Sequence, residues 1–374
     1  MDGAILIEDM KTILLDIPLK RSHVMSFGSP REVNAVLVKL TTRDGMTGFG
    51  EAVTFQGPTW SEESSETIKG IIEKYIFPIL EGKDLFEYNV LLNEVESRVK
   101  GNLFAKAAVE CAILDIWGKY FGQPLYNLLG GKYRDKIPLS WSLASGNIGT
   151  DIEEAKKMME SGYKIFKVKA GANSIAEDIE KIKSLREELG PLVSLRLDAN
   201  QGWNVVEALK AIKEMEPYGL EFIEQPLPRW NIDGLAEIRK KVTVPIMADE
   251  SVCDTFSCMK VIMDRAADIF SFKLTKMGGL LKARNIYSMV EAAGLEAYIG
   301  CMIETSVGTA AYLQFAASVP SLPYGCELFG PLLLTDDIVD NPIIFKDGFV
   351  FIPNEPGMGV TINEVRVEKF KRKK

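Results

Sequence analysis

From residue 138 onward the chain alternates between short apolar runs and longer amphipathic stretches. The runs are Pro138–Leu143, Ile165–Lys169, Ser194–Asp198, Glu221–Glu224, Pro245–Asp249, Ile269–Lys273, Glu296–Gly300 and Leu322–Glu327. Each has the length of a buried strand. Between them lie seven stretches with helical spacing: 151–161, 174–189, 205–215, 232–241, 255–264, 280–293 and 309–318. Eight strands with seven intervening helices predict an α/β parallel barrel. Six of the runs end on charge, and five of these ends, Lys169, Asp198, Glu224, Asp249 and Lys273, lie roughly 24 to 29 positions apart, which is one strand-plus-helix unit; the sixth is Glu327. Parallel barrels gather the C-terminal ends of their strands around one mouth, so two lysines and three carboxylates are expected to converge there.

The first part of the chain has a different rhythm. Residues 4–16, 32–40 and 47–53 alternate as strands, with Asp44-Gly45 as a hairpin turn, and predict an antiparallel meander. Loops are expected at Arg21–Pro30 and Phe55–Trp60, then helices at 64–75, 86–100 and 105–121, the last nearly all apolar and therefore buried. The Leu129–Asp135 connector, whose Gly130-Gly131 reads as a helix C-cap, marks a boundary. The expected parts are an N-terminal α+β domain (1–131), the barrel (132–328) and a C-terminal segment (329–374) that packs back on the first.

Composition narrows the chemistry. The 374 residues carry a net charge of -8, which gives no reason to expect nucleic acid, and the basic end 369–374 reads as a solvated tail. No apolar run reaches the ~18 residues of a membrane span, and the N-terminus has no signal-peptide pattern. Five cysteines without a C-x-x-C argue against a disulfide framework or a structural zinc site, and a reducing cytoplasm is the expected location. His23 is the only histidine, so mechanisms needing two are excluded within one chain, and general bases must come from other residue types.

Lys167 and Lys169 share one face of their strand, and two lysines aimed into one cavity favour a neutral, proton-accepting amine. Three carboxylates with no His or Cys among them suit a hard cation, Mg²⁺ before Mn²⁺. Arg196 and Asn200, on the face of Asp198, are candidates to steady the ligands. Such a cation stabilises the enediolate formed when a proton is taken from the carbon beside a carboxylate, and a lysine on either face can take or return that proton.

The set Lys167-Val-Lys169, Asp198-Ala-Asn200, Glu224-Gln-Pro226, Asp249-Glu250 and Lys273, with Gly48-Phe-Gly-Glu51-Ala and Gly278-Gly279, resembles the enolase superfamily in its muconate-lactonizing-enzyme subgroup, across essentially the whole chain. The resemblance implies a (β/α)7β TIM-like barrel under an α+β capping domain. It implies Asp198, Glu224 and Asp249 as Mg²⁺ ligands, with Glu250 beside them, Lys169 and Lys273 as the acid/base pair, and Lys167 assisting. The two loops are expected to close over a small carboxylate substrate, with Arg21, His23, Phe27, Phe55, Thr59 and Glu327 as contacts. A homo-oligomer, dimer or octamer, is also implied. Within the subgroup, cycloisomerase and N-acylamino acid racemase chemistry fit best, ahead of o-succinylbenzoate synthesis or dipeptide epimerisation; a Schiff-base lysine lyase is the alternative from another class.

Overall fold

The structure is a computed structural model that describes residues 4–373, so the first three residues and Lys374, the end of the basic tail, lie outside the described residues. An antiparallel meander opens it: β1 (Ile7–Pro18), β2 (Glu32–Thr42) and β3 (Thr47–Thr54), with Gly45 in the left-handed region at the hairpin turn. Helices follow: α1 (Ser65–Ile71), which runs through a π-helical turn at Ile72–Ile76 into α2 (Phe77–Leu80), then α3 (Tyr88–Arg98), α4 (Leu103–Tyr120) and the short α5 (Leu125–Leu128). Gly130 and Gly131 close α5, the amide of Gly131 donating to Tyr126 O at 2.9 Å. α4 is buried almost all round because β3 lies directly on it. Gly48 and Gly50 permit this: a Cβ at either would overlap the backbone of Ala112 or Ala108.

The rest is dominated by one parallel sheet, β5 (Trp141–Leu143), β6 (Ile165–Lys169), β7 (Ser194–Asp198), β8 (Leu220–Glu224), β9 (Ile246–Ala248), β10 (Ile269–Phe272) and β11 (Glu296–Ile299), each hydrogen-bonded to the next. Around it run α6 (Ile148–Glu160), α7 (Ile175–Leu189), α8 (Val205–Met215), α9 (Ile232–Lys241), α10 (Thr255–Met263), the one-turn α11 (Leu274–Met277), α12 (Leu280–Ala292) and α13 (Ser306–Ala317). The chain ends with α14 (Gly330–Leu333), a hairpin of β12 (Phe345–Lys346) and β13 (Phe349–Phe351), and α15 (Glu364–Phe370).

Two expected strands differ. Pro138–Leu143 is divided: β4 (Lys136–Pro138) pairs antiparallel with β13, and only Trp141–Leu143 joins the barrel. The C-terminal hairpin offers β4 a partner that local pattern could not reveal. The eighth strand, Leu322–Glu327, is not an extended strand. Pro323 lacks an amide hydrogen and Gly325 is left-handed (φ 69°), so one residue does the closing: Cys326 bridges Leu139 on one edge and Ile299 on the other. Four backbone bonds carry that seam, among them Cys326 N to Pro138 O at 3.0 Å and Glu327 N to Ile299 O at 2.9 Å.

Buried acids tie the parts together. Asp115 of α4 accepts from Phe49 N (2.9 Å), Met358 N (2.8 Å) and Lys119 Nζ (2.6 Å). At the far end Arg372 holds Asp16 of β1 at 2.7 Å. Glu51 of β3 reaches the N-terminus of α13, accepting from Thr305 N (3.1 Å), Thr305 Oγ1 (2.7 Å) and Gly308 N (2.7 Å). Burial pushes its carboxyl up to about 7 despite these bonds. An acid whose folded pKa exceeds its unfolded value costs stability as pH rises between the two. Wild-type stability relative to Glu51→Gln should therefore fall from pH 4.5 to about 7, as read by urea denaturation. A gap that does not change with pH would show that Glu51 keeps an ordinary pKa in the fold.

Candidate active site

Parallel register sets the floor of the barrel mouth. Lys169, Asp198 and Glu224 are direct neighbours across β6, β7 and β8, while Asp249 and Lys273 follow immediately after β9 and β10. Lys167 lies one layer deeper on the face of Lys169. It donates to Glu224 Oε2 at 2.6 Å, sits 3.6 Å from Asp198 Oδ2 and pairs with Glu327. Lys169 Nζ is 2.6 Å from Asp198 Oδ2 and 3.1 Å from Asn200 Oδ1. Across the mouth, Lys273 reaches Asp249 Oδ2 at 2.6 Å.

Sequence reading missed one member of this cluster. Lys276, one turn beyond Lys273 on α11, is buried and sits 2.8 Å from Asp249 Oδ1, with a further bond to Asp249 O. Its three-residue offset from Lys273 was the available signal. The expected repulsion between Lys167 and Lys169 does not leave Lys167 neutral. Burial alone would lower it, but Glu224 and Glu327 outweigh burial and hold it well above the lysine range. Lys273 is raised in the same way by Asp249 and Glu250. Burial would raise Asp249, yet Lys273 and Lys276 keep it well below the usual carboxylate range.

Asn200 is the hub beside these groups. Its left-handed backbone (φ 41°) lets its amide donate to Asp198 Oδ1 at 2.9 Å, while Nδ2 lies 3.4 Å from Glu250 Oε1. Burial, then Asp249, pushes Glu250 up to about 8. Arg196 shares their strand but sits deeper, on Glu221 at 2.7 Å and stacked over Phe222 and Tyr298, with no bond to the three carboxylates. An all-oxygen donor set suits a hard cation. Glu224 Oε1, buried with no hydrogen-bond partner, is a ready ligand atom. Among the described residues no three acids are already gathered at coordination spacing; each is drawn to a lysine instead.

The N-terminal loops form the roof. Ser26 donates to Asn200 O, and Val24 N to Ala144 O at 2.8 Å. Phe27 packs on Phe55, and Trp60 lies 4.7 Å under the Lys273 ammonium. Beneath the roof is a cavity of about 20 Å³, lined by His23, Phe55, Trp60, Lys169, Lys273 and Glu327 among others, with room for about one water. Arg21 instead turns to Glu154 (2.9 Å) and Ser142 O (2.7 Å), Phe27 lies behind Phe55, and Thr59 donates to Phe55 O at 2.8 Å. A larger pocket of about 400 Å³ lies on the other side of Trp60, toward Arg229 and Cys253, and reaches Glu250 and Lys276 of the same cluster, while Lys169, Lys273 and Glu327 face the smaller cavity. Among the described residues no helix is long and apolar enough to cross a membrane.

The similarities to known proteins agree with this arrangement. Residues 9–130 match the mandelate racemase/muconate lactonizing enzyme N-terminal domain, and residues 150–366 the enolase C-terminal domain-like family. The chain is 38% identical to muconate cycloisomerase 1 of Rhodococcus opacus over 98% of both chains. It is 37% identical to a chloromuconate cycloisomerase of Cupriavidus pinatubonensis over 96% of this chain and 97% of that one. The crystal structure of muconate lactonizing enzyme from Pseudomonas fluorescens, complexed with muconolactone, superposes with a TM-score of 0.97 at 36% identity, covering 99% of this chain and all of that one. Enzymes of the family depend on a metal. The chain belongs to the mandelate racemase/muconate lactonizing enzyme family, and it is an isomerase of the enolase superfamily with that family's barrel and capping domain.

Proposed function

We propose that this isomerase is a cycloisomerase of cis,cis-muconate or a chloro-substituted muconate, with Asp198, Glu224 and Asp249 as ligands of Mg²⁺, for which Mn²⁺ can substitute. The observation that carries the reading is two lysines lining one cavity from opposite walls, Lys169 bonded to Asp198 and Lys273 to Asp249, with Glu224 between these acids along the sheet and one of its oxygens buried and free. The family relatives named above are cycloisomerases, which supports that reaction over racemisation.

The cation, when bound, supplies positive charge against the substrate carboxylate on which negative charge develops. In the reaction, the substrate's other carboxylate adds to the double bond conjugated to that group. A carbon–oxygen bond forms, the π electrons move toward the carboxylate conjugated to that double bond, and the adjacent carbon must then gain one proton. Lys169 delivers it, and Lys273 stays charged and stabilises the developing anion from the opposite wall. Lys167 holds Glu224 and Glu327 in place. His23 and Phe55 face the distal part of the substrate from the roof, which opens to admit it. Asn200 and Glu250 keep Asp198 and Lys169 oriented.

With Mg²⁺ present, cis,cis-muconate should lose its conjugated-diene absorbance, and in D₂O the lactone should carry one solvent deuterium. Chelation, Asp198→Asn, Glu224→Gln or Asp249→Asn should each abolish turnover with the fold retained. Lys273→Arg should keep some activity, and Lys169→Arg none, because a guanidinium does not give up its proton. No turnover of any muconate, with rapid α-deuteration of N-acylamino acids instead, would make the protein a racemase. Activity that survives chelation, with a borohydride-trapped lysine adduct, would replace both readings. Ala-Glu should epimerise poorly, since Glu327 is already paired with Lys167 and no second acid flanks it at Cys326 or Leu328.

We further propose that the protein is a homo-oligomer. Phe256, Met259 and Met263 stand exposed on one face of α10, and Trp230 is exposed in the loop ahead of α9, tied to the α10 side by Ser251 Oγ on Arg229 O at 3.1 Å. Side chains of this size, exposed together, are what a second copy covers. Phe256→Glu combined with Met263→Glu should lower the mass found by light scattering; an unchanged mass places the contact elsewhere.

A further inference from the structure

The Gly278-Gly279 motif lies outside the charge cluster and has its own partner. α12 starts at Leu280 behind Gly279, which has no side chain to accept from the first amides of the helix, and no acid lies in its first turn. The acceptor comes from the other half of the molecule. Glu110 of α4, 2% exposed, takes the Leu281 amide on Oε1 at 3.2 Å. Its Oε2 rests against Gly279 with no hydrogen-bond partner, in the space a Cβ would fill. Beside it, Glu96 of α3 joins Lys106 of α4 (2.9 Å) to Lys282 of α12, so the joint is built of charge on both sides.

This joint sits just behind the chemistry. Gly279 is the third residue past Lys276, and the connection has little slack: Gly278 is left-handed (φ 77°) and Gly279 N donates to Leu274 O at 3.0 Å. From the other flank, Tyr312 of α13 holds Thr275 Oγ1 at 2.9 Å. A shift at the start of α12 therefore passes directly into the turn carrying Lys273 and Lys276, both bonded to Asp249.

We propose that Glu110 is a positioning residue of the reaction: from the capping half it holds Gly279–Leu281, and through them the Lys273–Lys276 turn. This rests on the role given to Lys273 above. Burial pushes the Glu110 carboxyl up to about 7, so a neutral amide is a fair substitute and keeps an acceptor for Leu281.

Three variants of the Mg²⁺-loaded enzyme test it. Glu110→Ala should lower kcat on cis,cis-muconate by about 10–100-fold with little change in KM, as expected for a misplaced catalytic group. Glu110→Gln should restore most of it, an outcome that loss of stability alone does not give. In the metal-free protein, amide hydrogen exchange over 273–277 should quicken in Glu110→Ala while β6 to β8 stay protected. If Glu110→Ala does not fold, Glu110→Asp, one methylene too short to reach Leu281, should show the same pattern. A kcat and an exchange profile matching the wild type, or a Gln variant no better than Ala, overturns the proposal. Failure of the wild type to act on any muconate would sink the reading of the reaction, while the exchange result still decides whether Glu110 holds the turn.

Discussion

Five carboxylates and four lysines share the roofed mouth of one barrel, nearly cut off from water: Asp198, Glu224, Asp249, Glu250 and Glu327 against Lys167, Lys169, Lys273 and Lys276. Burying any one of these charges alone would cost several kcal/mol, so none is tolerable without the others. That constraint explains why Lys169, Asp198 and Glu224 are in register at the ends of β6, β7 and β8, the one irregularity of the β7–β8 pairing falling earlier, between Leu195 and Leu197. A slip of one residue would aim the acids into the helical layer and strand the lysines. It also explains the roof, since the field between these groups is strong only while water is kept out.

The capping half does more than cover the mouth. Glu51 supplies an acceptor to the first turn of α13 and Glu110 to that of α12, two helices whose own sequences lack an acid there. Asp115 then binds β3 and the C-terminal segment to the same α4. These buried acids add directed contacts to an apolar core that runs through both halves. Ser26, meanwhile, links the roof to Asn200 and so to the residues around Asp198 and Lys169.

Much of this was legible in the sequence because barrel strands and amphipathic helices are patterned locally. The helices at 205–215 and 232–241 fall where periodicity put them, as do β6 and β7. The charged strand ends were visible because their spacing is regular. What could not be read depends on partners distant in sequence. Nothing near Pro138 announces that β13 will claim β4, and nothing near Cys326 shows that a single bridging residue suffices to close a sheet. Lys276 stands out only once the fold puts Asp249 beside it. Arg21, expected to contact the substrate, is spent on Glu154.

The seam at Cys326 bears on how the molecule is made. Synthesis runs from the N-terminus, and early segments can begin to fold as they emerge. The β1–β3 meander and the first βα units are local enough to do so. Yet the barrel cannot become a closed ring until residue 326 meets Leu139, β4 waits for residues 349–351, and Asp16 waits for Arg372. Long-range closures of this kind are slow, because the chain must surrender loop entropy before any contact rewards it. Until residue 326 has been made, a sheet of β5 to β11 keeps two bare edges. Its lysines and acids remain in water, and the site comes into being only when the last stretch arrives.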